Sequence, residues 1–372
     1  MLLRIVASGL LACLLVYVMV PYLRRLATHL NWLDVPNVQR KVHAESIPLV
    51  GGAAMALAIL GCVILNAGGG GSVTALTATL LLGATVLLVT GLVDDKLDLS
   101  PLVKLFAQAG CAYFLYLRGL RFDAVFDVVN MGGLPDAVRQ VISVLFVVGV
   151  VNAYNLIDGI DGLAGSLFAV AFAWFGAAAF YLGAYDIALL SALVLGASVA
   201  FLRYNTSRSQ KIFMGDGGSL FLGYLLAGCT IGLLERGATE TSAAVWLVGT
   251  CAVLALPVLD ELRVFAERMA AGRSPLYADR THVHHILLQI DSAHRSVRNW
   301  ILRIVFLTFL LALAASVLAG VWGGVAVILL CVAALFAVLQ AQRSMHERRE
   351  ELRMLELRGS DSAAPKSAGW QK

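Results

Sequence analysis

Apolar residues in this chain come in long unbroken runs, not at the alternate or every-third-and-fourth positions that leave a polar face for water. Runs of ~20 such residues read as helices crossing a bilayer. They fall near 2–22, 48–67, 73–93, 101–118, 138–154, 163–183, 187–203, 219–234, 242–259, 300–319 and 322–340, which predicts eleven spans. Several are rich in Gly and Ala, which favour close helix packing in lipid. The expected fold is an all-α, polytopic membrane bundle over residues 1–340. A charged tail, 341–372, is read as a cytoplasmic helix followed by disorder. The first run follows Arg4 as a secretory signal would, but Pro21-Tyr22-Leu23-Arg24-Arg25 offers no small-residue cleavage site, so it is read as a helix.

Composition agrees with lipid as the solvent. Of 372 residues 59% are hydrophobic and 14% charged, against roughly 25% charged in soluble domains. A net charge of +4 is too slight to imply a nucleic-acid partner. The six cysteines lie in apolar runs with no CxxC pair, which argues against a disulfide framework or a cysteine zinc site. With the N-terminus outside, Arg4, Arg118, Arg121, Arg139 and Arg236 are external and the other 23 of 28 basic residues are cytoplasmic, as the positive-inside rule demands. The cytoplasmic loops are then 23–47, 94–100, 155–162, 204–218 and 260–299, and they hold nearly every unusual polar cluster.

Asp94 and Asp95 form an acidic pair at one span's end, with Lys104 and Gln108 in the next helix; alone, the pair could simply be solvated. Asn155, Asp158 and Asp161 recur every third residue, so a helical turn would put their oxygens on one side, while Gly159 and Gly162 permit irregular backbone. Oxygens at that spacing suit a hard cation, though not an EF-hand, whose terminal Glu is missing. Gly215-Asp216-Gly217-Gly218 runs into a span; such an entry offers backbone N–H groups to an anion, with Asp216 beside it for a metal. It is not a Walker motif, because no Lys follows the last glycine.

Arg273, Asp279, Arg280, His282, His284 and His285 lie in the longest cytoplasmic loop. They read as a phosphate-recognition surface, with zinc or a solvated basic loop as alternatives. Arg40, Lys41 and His43 add a further basic loop, or a positive-inside anchor. Together these clusters make one surface for polyanion chemistry at the membrane boundary. Five aspartates around phosphates require a divalent cation, most naturally Mg²⁺ with Mn²⁺ as substitute. One reactant then comes from lipid and the other from the cytosol.

The segments PNVQRKVH with IPLVGG, GLVDDKLDLSPLVKLFAQ, NAYNLIDGIDGLAGS, KIFMGDGGSLFLG and SPLYADRTHVHH resemble, in order, the motifs of the polyprenyl-phosphate N-acetylhexosamine-1-phosphate transferases, over roughly residues 34–288. HVHH after ADR is similar to the undecaprenyl-phosphate GlcNAc-1-phosphate transferase branch, not to the phospho-MurNAc-pentapeptide translocases with three consecutive histidines. The resemblance implies eleven helices and a cytoplasmic active site in a bacterial inner membrane. It makes Asp94, Asp95, Asp158, Asp161 and Lys104 catalytic candidates and gives Asp216 and Asn155 to the metal. It gives Asn155, Arg280, His282, His284, His285, Lys41 and His43 to substrate. The first loop departs from the pattern, since two residues, Val38 and Gln39, separate Asn37 from Arg40 where many relatives have one, which leaves the roles of Arg40, Lys41 and His43 open.

The implied reaction joins undecaprenyl phosphate to UDP-GlcNAc, releasing UMP, to begin a cell-envelope glycan such as O-antigen; a homodimer is compatible with this reading. Another UDP-N-acetylhexosamine is an alternative substrate. An ion-coupled transporter is a remote one, because transporters place their charges near the midplane whereas these acids lie at helix ends.

Overall fold

The computed structural model describes residues 1–34, 46–68, 73–240, 242–275 and 281–362, with side chains in the terminal helix only to Met345 and at Arg348. Long apolar runs satisfy their backbone polar groups internally, and they do so as helices. In chain order these are α1 (Leu2–His29), α2 (Gly51–Gly68), α3 (Ala75–Leu97), α4 (Pro101–Leu117), α5 (Ala124–Val128), α6 (Asp136–Leu156) and α7 (Leu163–Tyr181). Then come α8 (Tyr185–Asn205), α9 (Gly215–Ala238), α10 (Ala243–Ala270), α11 (Val283–Ile290) and α12 (His294–Ser362). A two-residue antiparallel ladder, β1 (Leu33–Asp34) with β2 (Ile47–Pro48), precedes α2.

Among the described residues nine helices are long and apolar enough to cross a membrane, and 294–345 counts once among them. That element is broken at Ala319–Gly320, where Gly320 takes a φ of 67°, so the sequence's runs 300–319 and 322–340 are its two arms. At 17 residues, α4 reaches ~25 Å at 1.5 Å per residue, short of a ~30 Å hydrocarbon core. One sequence boundary needs correction. The helix begun at 242 runs to Ala270, well past 259, because Asp260 and Glu261 are buried and do not open a loop. Beyond 340 α12 continues to Ser362, in keeping with a helix at the start of the charged tail.

The bundle is built around α9, whose entire apolar window is buried beneath α2, α3, α6, α7 and α10. Leu3, Ile64, Leu82, Phe106, Leu145 and Leu318 are instead exposed on the outer helices, the surface a bilayer covers and water would not. Close approach at the start of α9 depends on glycine. A side chain on Gly52 would strike the Gly218 backbone, and one on Gly91 the peptide joining Asp216 to Gly217. Backbone bonds fasten the same corner: Gly51 N–H donates to Phe213 O (2.9 Å), Gly52 N–H to Met214 O (2.9 Å) and Phe213 N–H to Pro48 O (2.9 Å). The ends of α2 and α3 are thereby pinned to the entry of α9.

Candidate active site

Four helix ends meet at that corner. Asp94, on the last turn of α3, is buried; one oxygen accepts Leu99 N–H (2.7 Å) and the other accepts Lys104 Nζ (2.6 Å). Pro101 opens α4 and places Lys104 one turn on, where the ammonium also reaches Asp216 Oδ2 (3.0 Å). Across α9, Asp216 Oδ1 accepts Asn155 Nδ2 (3.0 Å) from the last turn of α6. That amide nitrogen also donates to Ser219 Oγ (2.8 Å). Both of its hydrogens are thus used, and the Asn155 carbonyl oxygen is left as the donor for a further ligand.

Neighbours on a helix point about 100° apart, so the acidic pair divides. Asp95 turns to α9, accepting Asp216 N–H at 2.7 Å and Gly217 N–H at 3.3 Å. This alters the sequence reading of the glycine-rich entry: those N–H groups cap the chain's own carboxylate instead of facing a substrate anion. Gly215 makes room for it, with a φ of 74° and no Cβ to meet Asp95.

The Asn155, Asp158 and Asp161 triplet likewise does not share one face, because α6 stops at Leu156 and the chain crosses to α7 in a turn. Asp161 pairs with Lys211 Nζ (2.6 Å) and lies 3.4 Å from His294 Nδ1. Burial alone would raise its carboxyl, yet these two partners hold it below the ordinary carboxylate range. Asp158 has no side-chain hydrogen bond among the described residues. Burial, with Asp216, Asp95 and Asp161 nearby, pushes it well above the usual value.

The histidines join the same site. His284 is fully buried and occupies the space a side chain on Gly159 would need. It lies between His282 (ring centroids 6.1 Å) and His285 (4.1 Å). Neither of its ring nitrogens has a partner, and burial followed by the neighbouring histidines holds it well below the ordinary imidazole value. It is a neutral ring lodged against the Asp158 turn.

One residue escaped the sequence reading. Asp260, 1% exposed, accepts His282 Nδ1 (3.0 Å), Val283 N–H (3.1 Å) and Arg263 Nη2 (2.7 Å). It fixes the His282 ring with Nε2 buried and unpartnered, and it caps α11. Its only sequence signal is Arg263 three positions on, beside an apolar run that ends at 259. Arg280, Asp279, Arg40, Lys41 and His43 lie outside the described residues.

A cation's fit rests on the donors. They are hard oxygens from Asp216, Asn155 and Asp158, although among the described residues no three His, Cys, Asp or Glu side chains already converge as a cage. Mg²⁺ usually takes one or two carboxylates and completes its shell with water and substrate phosphate, so this set suits it.

A family model described as glycosyl transferase family 4 matches residues 77–234. A probable undecaprenyl-phosphate N-acetylglucosaminyl 1-phosphate transferase of Bacillus subtilis is 31% identical over 324 residues, 86% of this chain and 87% of the relative. A decaprenyl-phosphate N-acetylglucosaminephosphotransferase of Mycobacterium tuberculosis is 32% identical over 316 residues, 78% and 77% of the two chains. An undecaprenyl-phosphate alpha-N-acetylglucosaminyl 1-phosphate transferase of Haemophilus influenzae is 30% identical over 312 residues, covering 82% of each. Matched at such identity over most of its length, the chain belongs to the glycosyl transferase family 4 enzymes that move a sugar 1-phosphate onto a polyprenyl phosphate.

Proposed function

We propose that the chain transfers GlcNAc 1-phosphate from UDP-GlcNAc to undecaprenyl phosphate, giving undecaprenyl-diphospho-GlcNAc and UMP, as the first step of a cell-envelope glycan such as O-antigen. Eleven crossings are supported by the eight long helices other than α12, the short α4, and the two arms of α12. Lys and Arg placement puts the N-terminus outside and the aspartate corner on the cytoplasmic face of the bacterial inner membrane. The observation that carries the reading is the chain of contacts Asp94–Lys104–Asp216–Asn155, beside Asp158 and His284, whose side chains have no hydrogen-bond partner among the described residues.

An oxygen of the lipid phosphate attacks the β-phosphorus of the sugar nucleotide. The bond to the α-phosphate oxygen breaks, and its electron pair leaves with UMP. A phosphate monoester is already mostly ionised at neutral pH, with a second pKa of ~6, so little general-base help is needed and direct attack is simpler than an aspartyl intermediate. Asp216, the Asn155 carbonyl and Asp158 would hold Mg²⁺ or Mn²⁺. When bound, the ion neutralises charge on the diphosphate. Lys104 positions Asp94 and Asp216, while Asp95 fixes the angle at which α9 presents Asp216. The histidines on α11 face the nucleotide.

Purified protein offered a panel of UDP-N-acetylhexosamines should label the lipid from UDP-GlcNAc in preference to the others; equal or better use of another sugar would replace this donor. Excess EDTA should abolish turnover, and either Mg²⁺ or Mn²⁺ should restore it; full turnover in EDTA would remove the cation from the scheme. Asp260→Ala should lower the unfolding temperature, as losing one partner of a buried charged network costs about 3–5 kcal/mol. It should also raise the sugar-nucleotide KM about tenfold or more, with that for the lipid unchanged. Steady-state kinetics with each substrate varied in turn reads the difference.

A further inference from the structure

A polar cavity lies at the same end of the bundle, against α1. It has a volume of about 250 Å³ and, among the described residues, is lined by Pro21, Arg24, Arg25, Thr28, Tyr204 and Gln210, none of them acidic. Two guanidinium groups in one small cavity repel each other unless an anion joins them, and Arg24 Nε is buried without a hydrogen-bond partner. Thr28 Oγ1 and Tyr204 Oη are already engaged, donating to Arg24 O (2.9 Å) and Tyr17 O (2.8 Å). The two guanidinium groups and the Gln210 amide are what the cavity has left to offer.

Its height in the membrane indicates the anion's source. From Ile5 to Tyr22 α1 carries an apolar stretch between Arg4 and Arg24, about 27 Å of helix at ~1.5 Å per residue, so Arg24 and Arg25 sit where phospholipid headgroups begin. Leu10, Leu14, Tyr17, Val18 and Tyr22 are exposed along that helix and form an apolar track leading to the cavity. We propose that this cavity holds the phosphate of an anionic phospholipid, with its acyl chains lying on the exposed face of α1. Both headgroup classes carry a phosphate diester for the arginine forks, but in a zwitterionic one the choline would meet two like charges, so an anionic headgroup is favoured. The wall includes Tyr204 and Gln210, which adjoin Asn205, acceptor of Gly162 N–H (2.6 Å), and Lys211, partner of Asp161 (2.6 Å). A lipid seated here braces the segment that steadies the Asp161 turn.

Native mass spectrometry of the intact, delipidated protein in neutral detergent, titrated with phosphatidylglycerol or phosphatidylcholine, tests this. The expected result is one phosphatidylglycerol held at least about tenfold more tightly than phosphatidylcholine. Arg24→Ala with Arg25→Ala should abolish that preference, Arg24→Lys with Arg25→Lys should keep most of it, and Arg118→Ala, at the opposite end of the bundle, should leave it intact. Each variant is first checked for a monodisperse, wild-type-like thermal transition, and the Lys pair keeps the comparison open should the Ala pair unfold. Equal retention of the two lipids, or an unchanged preference in the folded Ala pair, would overturn the proposal. So would displacement by inorganic phosphate at equal concentration, which means a free-anion site, or by a polyprenyl phosphate, which means the acceptor's own site.

Discussion

Asp216→Asn is expected to cut kcat by about a hundredfold or more, at least ~2.7 kcal/mol of transition-state stabilisation, while the protein remains folded in detergent. The substitution hardly changes volume, and Asn155 Nδ2 can still donate to the new amide oxygen. The cap formed by Asp216 N–H on Asp95 also survives, because it uses backbone. What disappears is the charge that Lys104 and the proposed cation share. The comparison is turnover at saturating Mg²⁺ with the thermal transition of the same preparation. A variant retaining more than about a tenth of the wild-type rate would show that Asp216 is not the principal ligand.

Lys104→Met is expected to cost a comparable hundredfold in kcat by a different route. The methionine keeps much of the apolar stem but removes the ammonium lying 2.6 Å from Asp94 and 3.0 Å from Asp216. Two carboxylates are then left facing each other at the helix ends, and they must either take up a proton or move apart. Because the side chains of Lys104 and Asp216 are 22% and 34% exposed, solvent screens part of the loss, and stability should fall by less than the ~3–5 kcal/mol of a fully buried pair. Lys104→Arg should rescue only partly, since a planar fork cannot bridge two carboxylates from different helices as a compact ammonium does. A rate near wild type in Lys104→Met would make this contact dispensable.

The bundle was legible because lipid imposes one rule on every span, an apolar run long enough to cross. Where that rule gave way, so did the reading. Asp260 and Glu261 end the apolar run at 259, but burial among Arg263, Arg268 and His282 carries α10 on to Ala270. Asp94, Asp95, Asn155, Asp158 and Asp216 stood out as candidates in the sequence, though each cluster alone had a structural reading and only their gathering on one face pointed to chemistry. Their division of labour was not. That Asp95 caps α9 while Asp94 binds Lys104 depends on how α3 is rotated against α9, which Gly91 sets through close packing. The period of three from Asn155 to Asp161 suggested one face, but the helix ends between the first two members, and Asp161 went to Lys211. Apart from Arg263 one turn on, Asp260 acts on His282 and the Val283 N–H at the start of α11, a tertiary arrangement with no local pattern.

The most direct test is to follow the phosphorus. UDP-GlcNAc labelled with ³²P in the β-phosphate is supplied with undecaprenyl phosphate, Mg²⁺ and the purified protein, and the lipid and aqueous phases are separated. The expected result is ³²P in the lipid phase, with one UMP released for each labelled lipid formed. Label remaining in water as UDP while the sugar alone enters the lipid would mean attack at the sugar carbon, and would contradict the assignment of this site to sugar 1-phosphate transfer.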